Sequence, residues 1–202
     1  MKPLELYCAT GNAGKVREFQ DAAPSEIHIV ATGPRNCAET GTKFAEIALE
    51  KALCYSRALL AEGLADPLLF ADDSGLEVDF LDGAPGVRSA RFSGPDATDE
   101  ANNALLLERL SCVPEPRRTA RFVCAIALVR GLEPLAQFRG ETRGRILEAP
   151  RGTGGFGYDP LFLSLEAGRT FAELTTDQKR RLSHRGHAAQ ALFRWLEARA
   201  AK

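Results

Sequence analysis

The chain has 202 residues, 45% of them hydrophobic and 26% charged, with a formal net charge of -1. That length can bury a sizeable core and suits one domain over residues 1–202, while the near-neutral balance excludes a protein that coats nucleic acid. Any anion handling must therefore come from local clusters of Lys and Arg.

No apolar segment follows a basic N-terminal start and no run approaches the length of a membrane span, so membrane association is not expected. The five cysteines, Cys8, Cys37, Cys54, Cys112 and Cys124, are odd in number and contain no C-x-x-C pair. Neither a disulfide framework nor a zinc knuckle is expected from that pattern, and reduced thiols fit a cytoplasmic protein.

Elements alternate along the chain. "LELYCAT" (Leu4 to Thr10) predicts a strand and "GKVREFQDAA" a helix stopped by Pro24. "IHIVAT" (Ile27 to Thr32) alternates with period two, as a strand does. A long helix is predicted from about Thr42 to Glu62, with Phe44, Ile47, Ala48, Ala52 and Leu53 on one stripe and Gly63 just beyond it. The strand "LLFAD" leads into a glycine- and proline-rich excursion, then a helix near Asp99 to Leu110. "ARFVCAIALV" and "LAQFRGETRGRIL" predict two strands joined by the turn "RGLEP". The loop "EAPRGTGGFGYDPLFL" precedes a helical C-terminal region ending in "HAAQALFRWLEARAAK". Interleaved helices and strands without repeat or linker indicate one α/β unit with a mixed sheet.

Four segments carry the chemistry. "ATGNAGK" places Thr10, Gly11, Asn12, Ala13, Gly14 and Lys15 between a strand and a helix. Small residues there let backbone N–H groups approach an anion, and the helix N-terminus adds positive potential. This is not a Walker A loop, because Val16 stands where Ser or Thr is needed; an ordinary tight turn is the alternative. Four apolar residues, Leu68 to Ala71, lead straight into Asp72 and Asp73 of "FADDSG", followed by Ser74. Adjacent carboxylates disfavour each other's ionisation, so water, a capped turn or a metal ion must make the pair tolerable. Consecutive strand residues face opposite sides, and both carboxylates could touch one ion only if the chain bends at Ser74-Gly75. "TGGFGYDP" surrounds Phe156 and Tyr158 with glycines, beside Asp159, and either offers a ring to a flat base or plugs the core with its aromatics. "KRRLSHRGHA" gathers Lys179, His184 and Arg185; its basic neighbours repel a cation, so a grip on phosphate or base edges fits better than zinc, with a solvated basic face as the alternative.

Glu39 and Lys51 are plain surface charges when taken alone. Yet Lys15, Lys51 and Lys179 are three of only six lysines among 26 basic residues, which suggests that an ammonium matters at those places. Together the segments supply a phosphate cradle, carboxylates for a hard cation, an aromatic platform and a basic clamp, the parts of a Mg²⁺-dependent nucleotide site.

In order and spacing, "TGNAGK", "ETGTKF", "ADDSGLEVD…GAPGVRSARFSG", "GTGGFGYDPLF" and "SHRG" resemble the inosine/xanthosine triphosphate pyrophosphatases, from Leu4 to about Trp195. The resemblance implies hydrolysis of non-canonical purine nucleoside triphosphates (ITP, dITP, XTP) to the monophosphate and pyrophosphate. It also implies an elongated mixed α/β structure of two lobes with the active-site cleft between them, Mg²⁺ as cofactor, and a cytoplasmic homodimer. Thr10 through Lys15 match the triphosphate loop; Glu39 and Asp73 match the metal carboxylates, and Asp73 also the acceptor of a proton from the attacking water. Asp72 would orient a lysine or share the base role. Ser74, Phe156, Gly157, Tyr158, Asp159, Lys179, His184 and Arg185 match substrate-holding positions, and Lys51 a lysine that neutralises phosphate. One departure is visible: Glu46-Ile47-Ala48 stands where many relatives have Glu-Asn-Ala, and Ile47 on the apolar stripe predicts a packing change only. A triphosphate sensor without turnover, and a pyrophosphatase for pyrimidine or modified nucleotides, are the rival functions.

Overall fold

A computed structural model describes residues 3–200. The strands are β1 (Leu4–Cys8), β2 (Ile27–Ala31), β3 (Leu68–Val78), β4 (Thr119–Arg130), β5 (Glu133–Ile146) and β6 (Phe162–Ser164). The helices are α1 (Ala13–Ala22), α2 (Phe44–Ala61), α3 (Asp99–Arg109), α4 (Thr176–Leu182) and α5 (His184–Ala200). The strands form one mixed sheet in the order β2-β1-β3-β4-β5-β6. β1 runs parallel to β2 and β3, whereas β5 and β6 are antiparallel.

The chain folds as two compact units. The first holds the described residues through Asp73, then Cys124–Gly140, then those from Arg185 onward. Its core joins Leu6 and Cys8 of β1, Phe19 of α1, Leu68 and Phe70 of β3, alternate residues of β4, and Leu192 and Phe193 of α5. Phe19 meets Phe70 edge to face at 4.8 Å, a geometry that adds about 0.5–1.5 kcal/mol to the gain from burial alone. The period-two pleat of β3 then assigns each side chain its face. Leu68, Phe70 and Asp72 share one, and Leu69, Ala71 and Asp73 the other.

The second unit holds Ser74–Val123 and Glu141–His184. Its core packs Leu76 and Val78 of β3, Leu106 of α3, Phe122, Tyr158, Phe162 and Phe171. Arg118, 3% exposed, donates from its guanidinium to three backbone carbonyls, those of Leu110, Val113 and Leu147. Gly144 of β5 is required by close approach: a Cβ there would lie 2.4 Å from the Phe162 ring.

Three expectations need correction. The strand predicted as "LLFAD", ending at Asp72, continues to Val78, so both carboxylates sit mid-strand. Its burial on both faces erases the alternation that marks a strand's extent. β6 lies within a predicted loop, because three residues are too few to show a period. Cys37 and Cys54 are joined as a disulfide, although 17 residues apart in sequence; the fold, not a spacing motif, brings them together. The helical C-terminal region is α4 and α5, parted at the extended Ser183, and its last two residues, Ala201 and Lys202, lie outside the described residues.

Candidate active site

In the first unit, α1 begins at an N-cap: Asn12 Oδ1 accepts from the Lys15 N–H at 3.1 Å, and Thr10 Oγ1 accepts from the Asn12 N–H at 3.1 Å. Gly11 is necessary here, since a Cβ would approach Pro34 Cβ to 2.8 Å. The loop is thus a preorganised turn that leads into a helix N-terminus, with Lys15 in the first helical turn.

From α1, Lys15 reaches Asp72, with Nζ 2.9 Å from Oδ2. Arg185 approaches the same carboxylate at 3.7 Å and is also paired with Glu18, one turn beyond Lys15 on α1. Asp72 is fully buried, which would raise its pKa; Lys15, then Arg185 and Lys51, outweigh that and hold it down at about 2. Burial likewise works against the Arg185 charge, but Glu18 and Asp72 raise its pKa further above the ordinary value.

Asp73 faces the other way and meets α2. Lys51 Nζ lies 3.7 Å from Asp73 Oδ1 and 3.7 Å from Glu39 Oε1, so one ammonium serves two carboxylates. Glu50 fixes the segment after Glu39 by accepting from the Thr40 N–H at 2.8 Å and the Gly41 N–H at 3.1 Å. Burial pushes the Asp73 carboxyl up to about 6; Lys51 and Lys15 oppose this, while Asp72 and Glu39 add to it. Its Oδ2 is buried without a hydrogen-bond partner.

The adjacent carboxylates are therefore tolerable because the strand sends them to opposite faces, each toward its own cation. No bend brings both to one ion. Asp73 Oδ2, buried and unsatisfied, belongs to a carboxylate that shares one ammonium with Glu39, which fits a hard divalent cation. Among the described residues no group of three or more His, Cys, Asp or Glu forms a metal cluster. A Mg²⁺ site needs no such cluster, as one or two carboxylates and substrate phosphates suffice.

In the second unit, the glycine loop is wired to α3 and α4. Asp159 Oδ2 accepts from the Phe156 N–H at 2.9 Å and from Lys179 Nζ at 2.6 Å. Gly155 has φ +76, and a Cβ on it would sit 2.0 Å from that carboxylate oxygen. Lys179 Nζ stands 4.8 Å from the centre of the Phe156 ring. Tyr158 is a core residue whose hydroxyl donates to the Ser89 carbonyl at 2.8 Å, so of the two aromatics it is the one that plugs the core. His184 is 4% exposed and stacks on Phe122 at 4.7 Å. Ser74 follows Asp73 in β3 and is half-buried.

Sequence patterns alone did not single out Glu18, Glu50, Asp99 or Asn103. Glu18 was discoverable from its i, i+3 spacing to Lys15, and Asp99 from its place just after the N-cap Thr98. Ile47, at the departure from the family pattern, is 1% exposed in the packed face of α2, as its place on the stripe predicts.

The Ham1 family model matches residues 6–195. A dITP/XTP pyrophosphatase of Geobacter sulfurreducens is 50% identical, covering 93% of this chain and 94% of its own. One from Escherichia coli O157:H7 is 47% identical, covering 94% and 96%. The Ham1 protein of Staphylococcus aureus superposes with a TM-score of 0.83 at 35% identity, covering 96% of this chain and 99% of that one. With the match extending over nearly all of its length, the chain belongs to the Ham1 family.

Proposed function

We propose that the protein is a nucleoside triphosphate pyrophosphatase, hydrolysing ITP, dITP and XTP to the monophosphate and pyrophosphate within one catalytic domain. The observation that carries this is the pair of carboxylates, Glu39 and Asp73, that share the Lys51 ammonium, together with a helix-capping loop that ends in Lys15. The names of the relatives, dITP/XTP pyrophosphatases, support the choice of substrate.

Glu39 and Asp73 would hold the cation, taken as Mg²⁺, which screens the phosphate charge and favours attack at phosphorus when bound. Asp73, with its carboxyl pushed up to about 6, is poised to accept a proton from the attacking water near neutral pH. Asp72 stays anionic and fixes Lys15, whose ammonium, with the N–H groups of Gly11 to Gly14, stabilises charge on the departing pyrophosphate. Lys51 neutralises phosphate charge near Asp73. Phe156 to Asp159, Lys179, His184, Arg185 and Ser74 hold the rest of the substrate, and the donors among these groups favour the 6-carbonyl of inosine and xanthosine over the 6-amino group of adenosine.

The homodimer and the cytoplasmic location carry over from the family resemblance, and no helix among the described residues is long and apolar enough to cross a membrane.

The test is hydrolysis of a triphosphate panel with Mg²⁺ in ¹⁸O-water. The label should enter the monophosphate and leave pyrophosphate unlabelled, with ITP and XTP well ahead of ATP. Saturable binding without product, stepwise orthophosphate release, or equal turnover of ATP and ITP each contradicts the proposal.

A further inference from the structure

The glycine loop of the second unit is held by two side chains of α3 that the proposed reaction does not use. Asp99 Oδ2 accepts from the Gly157 N–H at 2.6 Å, and Asn103 Nδ2 donates to the Gly157 carbonyl at 2.9 Å. Asp99 and Asn103 are four apart and so lie on one face of the helix. Both polar groups of a single residue are thereby gripped by one helix. That residue has φ +62, which favours glycine whatever space surrounds it.

Packing does not substitute for this grip. Between α3 and the loop lies a cavity of about 470 Å³, lined among others by Asp99, Asn103, Leu107, Gly155, Phe156 and Leu161. Further along the loop Tyr158 and Leu161 share a core cluster with Leu106 of α3, but a Cβ on Gly157 would meet nothing within 4 Å, so this one residue is held by its two hydrogen bonds and not by close-packed atoms. Phe156, the residue before Gly157, is bounded by this clamp on one side. On the other, Asp159 holds its own N–H.

We infer that Asp99 and Asn103 are positioning residues that set purine selectivity by fixing the Gly157 peptide, and through it the Phe156 ring and the stretch of loop that faces the base. The inference rests on the proposal above that Phe156 to Asp159 hold the base. A peptide released from the clamp could drift into the cavity, and a misplacement of about 1 Å at a positioned group costs up to about 10²-fold. Cognate ITP, which gains most from aligned donors, loses more than ATP.

The test measures kcat/KM for ITP and ATP in Asp99→Ala, Asn103→Ala and Asp99→Asn, with Phe156→Ala as a check on the underlying assignment. The ITP/ATP ratio is independent of the fraction of folded enzyme, so a purely structural role leaves it unmoved. Both alanine variants should lower the ratio by at least about tenfold, raising KM for ITP more than they reduce kcat. Asp99→Asn keeps an acceptor and should recover most of the ratio. If Phe156→Ala shifts the ratio while the α3 variants leave it within twofold of the parent, the positioning role is wrong. If Phe156→Ala also leaves it unchanged, the base assignment fails and the inference falls with it.

Discussion

Asp72 and Asp73 are neighbours of the same chemistry, yet their replacement by Asn should move stability in opposite directions. Asp72 is 0% exposed, 2.9 Å from Lys15 and 3.7 Å from Arg185. Its pKa falls from 3.8 to about 2 on folding, which at 1.36 kcal/mol per pH unit contributes about 2 kcal/mol. That contribution is present above pH 3.8 and is lost as pH falls through 2. Asp72→Asn also leaves the half-buried Lys15 without its anion and the buried Arg185 with Glu18 alone, for a total cost of about 3–5 kcal/mol, or a Tm lower by about 6–20 °C. Asp73 is the reverse case. Its pKa rises from 3.8 to about 6, so the relative stability it gives is full below pH 3.8 and lost as pH rises through 6. At pH 7.5 and without divalent cation its charge costs up to about 3 kcal/mol, which Asp73→Asn relieves. The assay is urea and thermal unfolding of both variants at pH 7.5 in chelator, with turnover recorded separately. Asp73→Asn should be at least as stable as the parent while losing about 10²–10⁴-fold in turnover. If Asp72→Asn is neutral, or if Asp73→Asn is the less stable of the two, the opposite-face account of the pair is refuted.

The same geometry makes three more outcomes testable. Because Asp73 must be ionised to accept a proton, kcat/KM should fall about tenfold per pH unit below about 6, and higher Mg²⁺ should move that limb to lower pH; a profile flat to pH 5 at low Mg²⁺ would count against the base assignment. Glu39→Gln should weaken Mg²⁺ binding by at least about tenfold in calorimetric titration, and unchanged affinity would remove Glu39 from the ion. Gly155→Ala forces a Cβ onto the Asp159 carboxylate at φ +76, so it should cost about 1–3 kcal/mol in unfolding experiments and raise KM for ITP.

The fold was legible where periodicity or punctuation was strong. α2 shows its stripe and its bounding glycine, and α1 its stop at Pro24, so both were placed to within a few residues. β3 was cut short because residues buried on both faces carry no alternation, and charge at Asp72 resembles an end. Among candidate site residues, Lys15, Glu39, Lys51, Asp72 and Asp73 could be named from the motifs, yet their pairing could not. Which lysine meets which carboxylate depends on the face of β3 to which each helix packs, and no local pattern encodes that choice. The Glu18–Arg185 pair joins residues 167 apart in sequence, beyond the reach of any spacing rule.

Arg118 has a consequence for what happens when the chain is cut. Its guanidinium holds the Leu110 and Val113 carbonyls, which bracket the exposed Ser111 and Cys112, and it also holds the carbonyl of Leu147 beyond β5. A protease that nicks the Ser111–Cys112 bond would leave both new ends tied to one side chain, so the fragments should remain together under native conditions. Lysine could not replace this tie. It keeps the charge but presents one ammonium on a flexible stem, where a planar fork now reaches three carbonyls on two stretches of backbone at once.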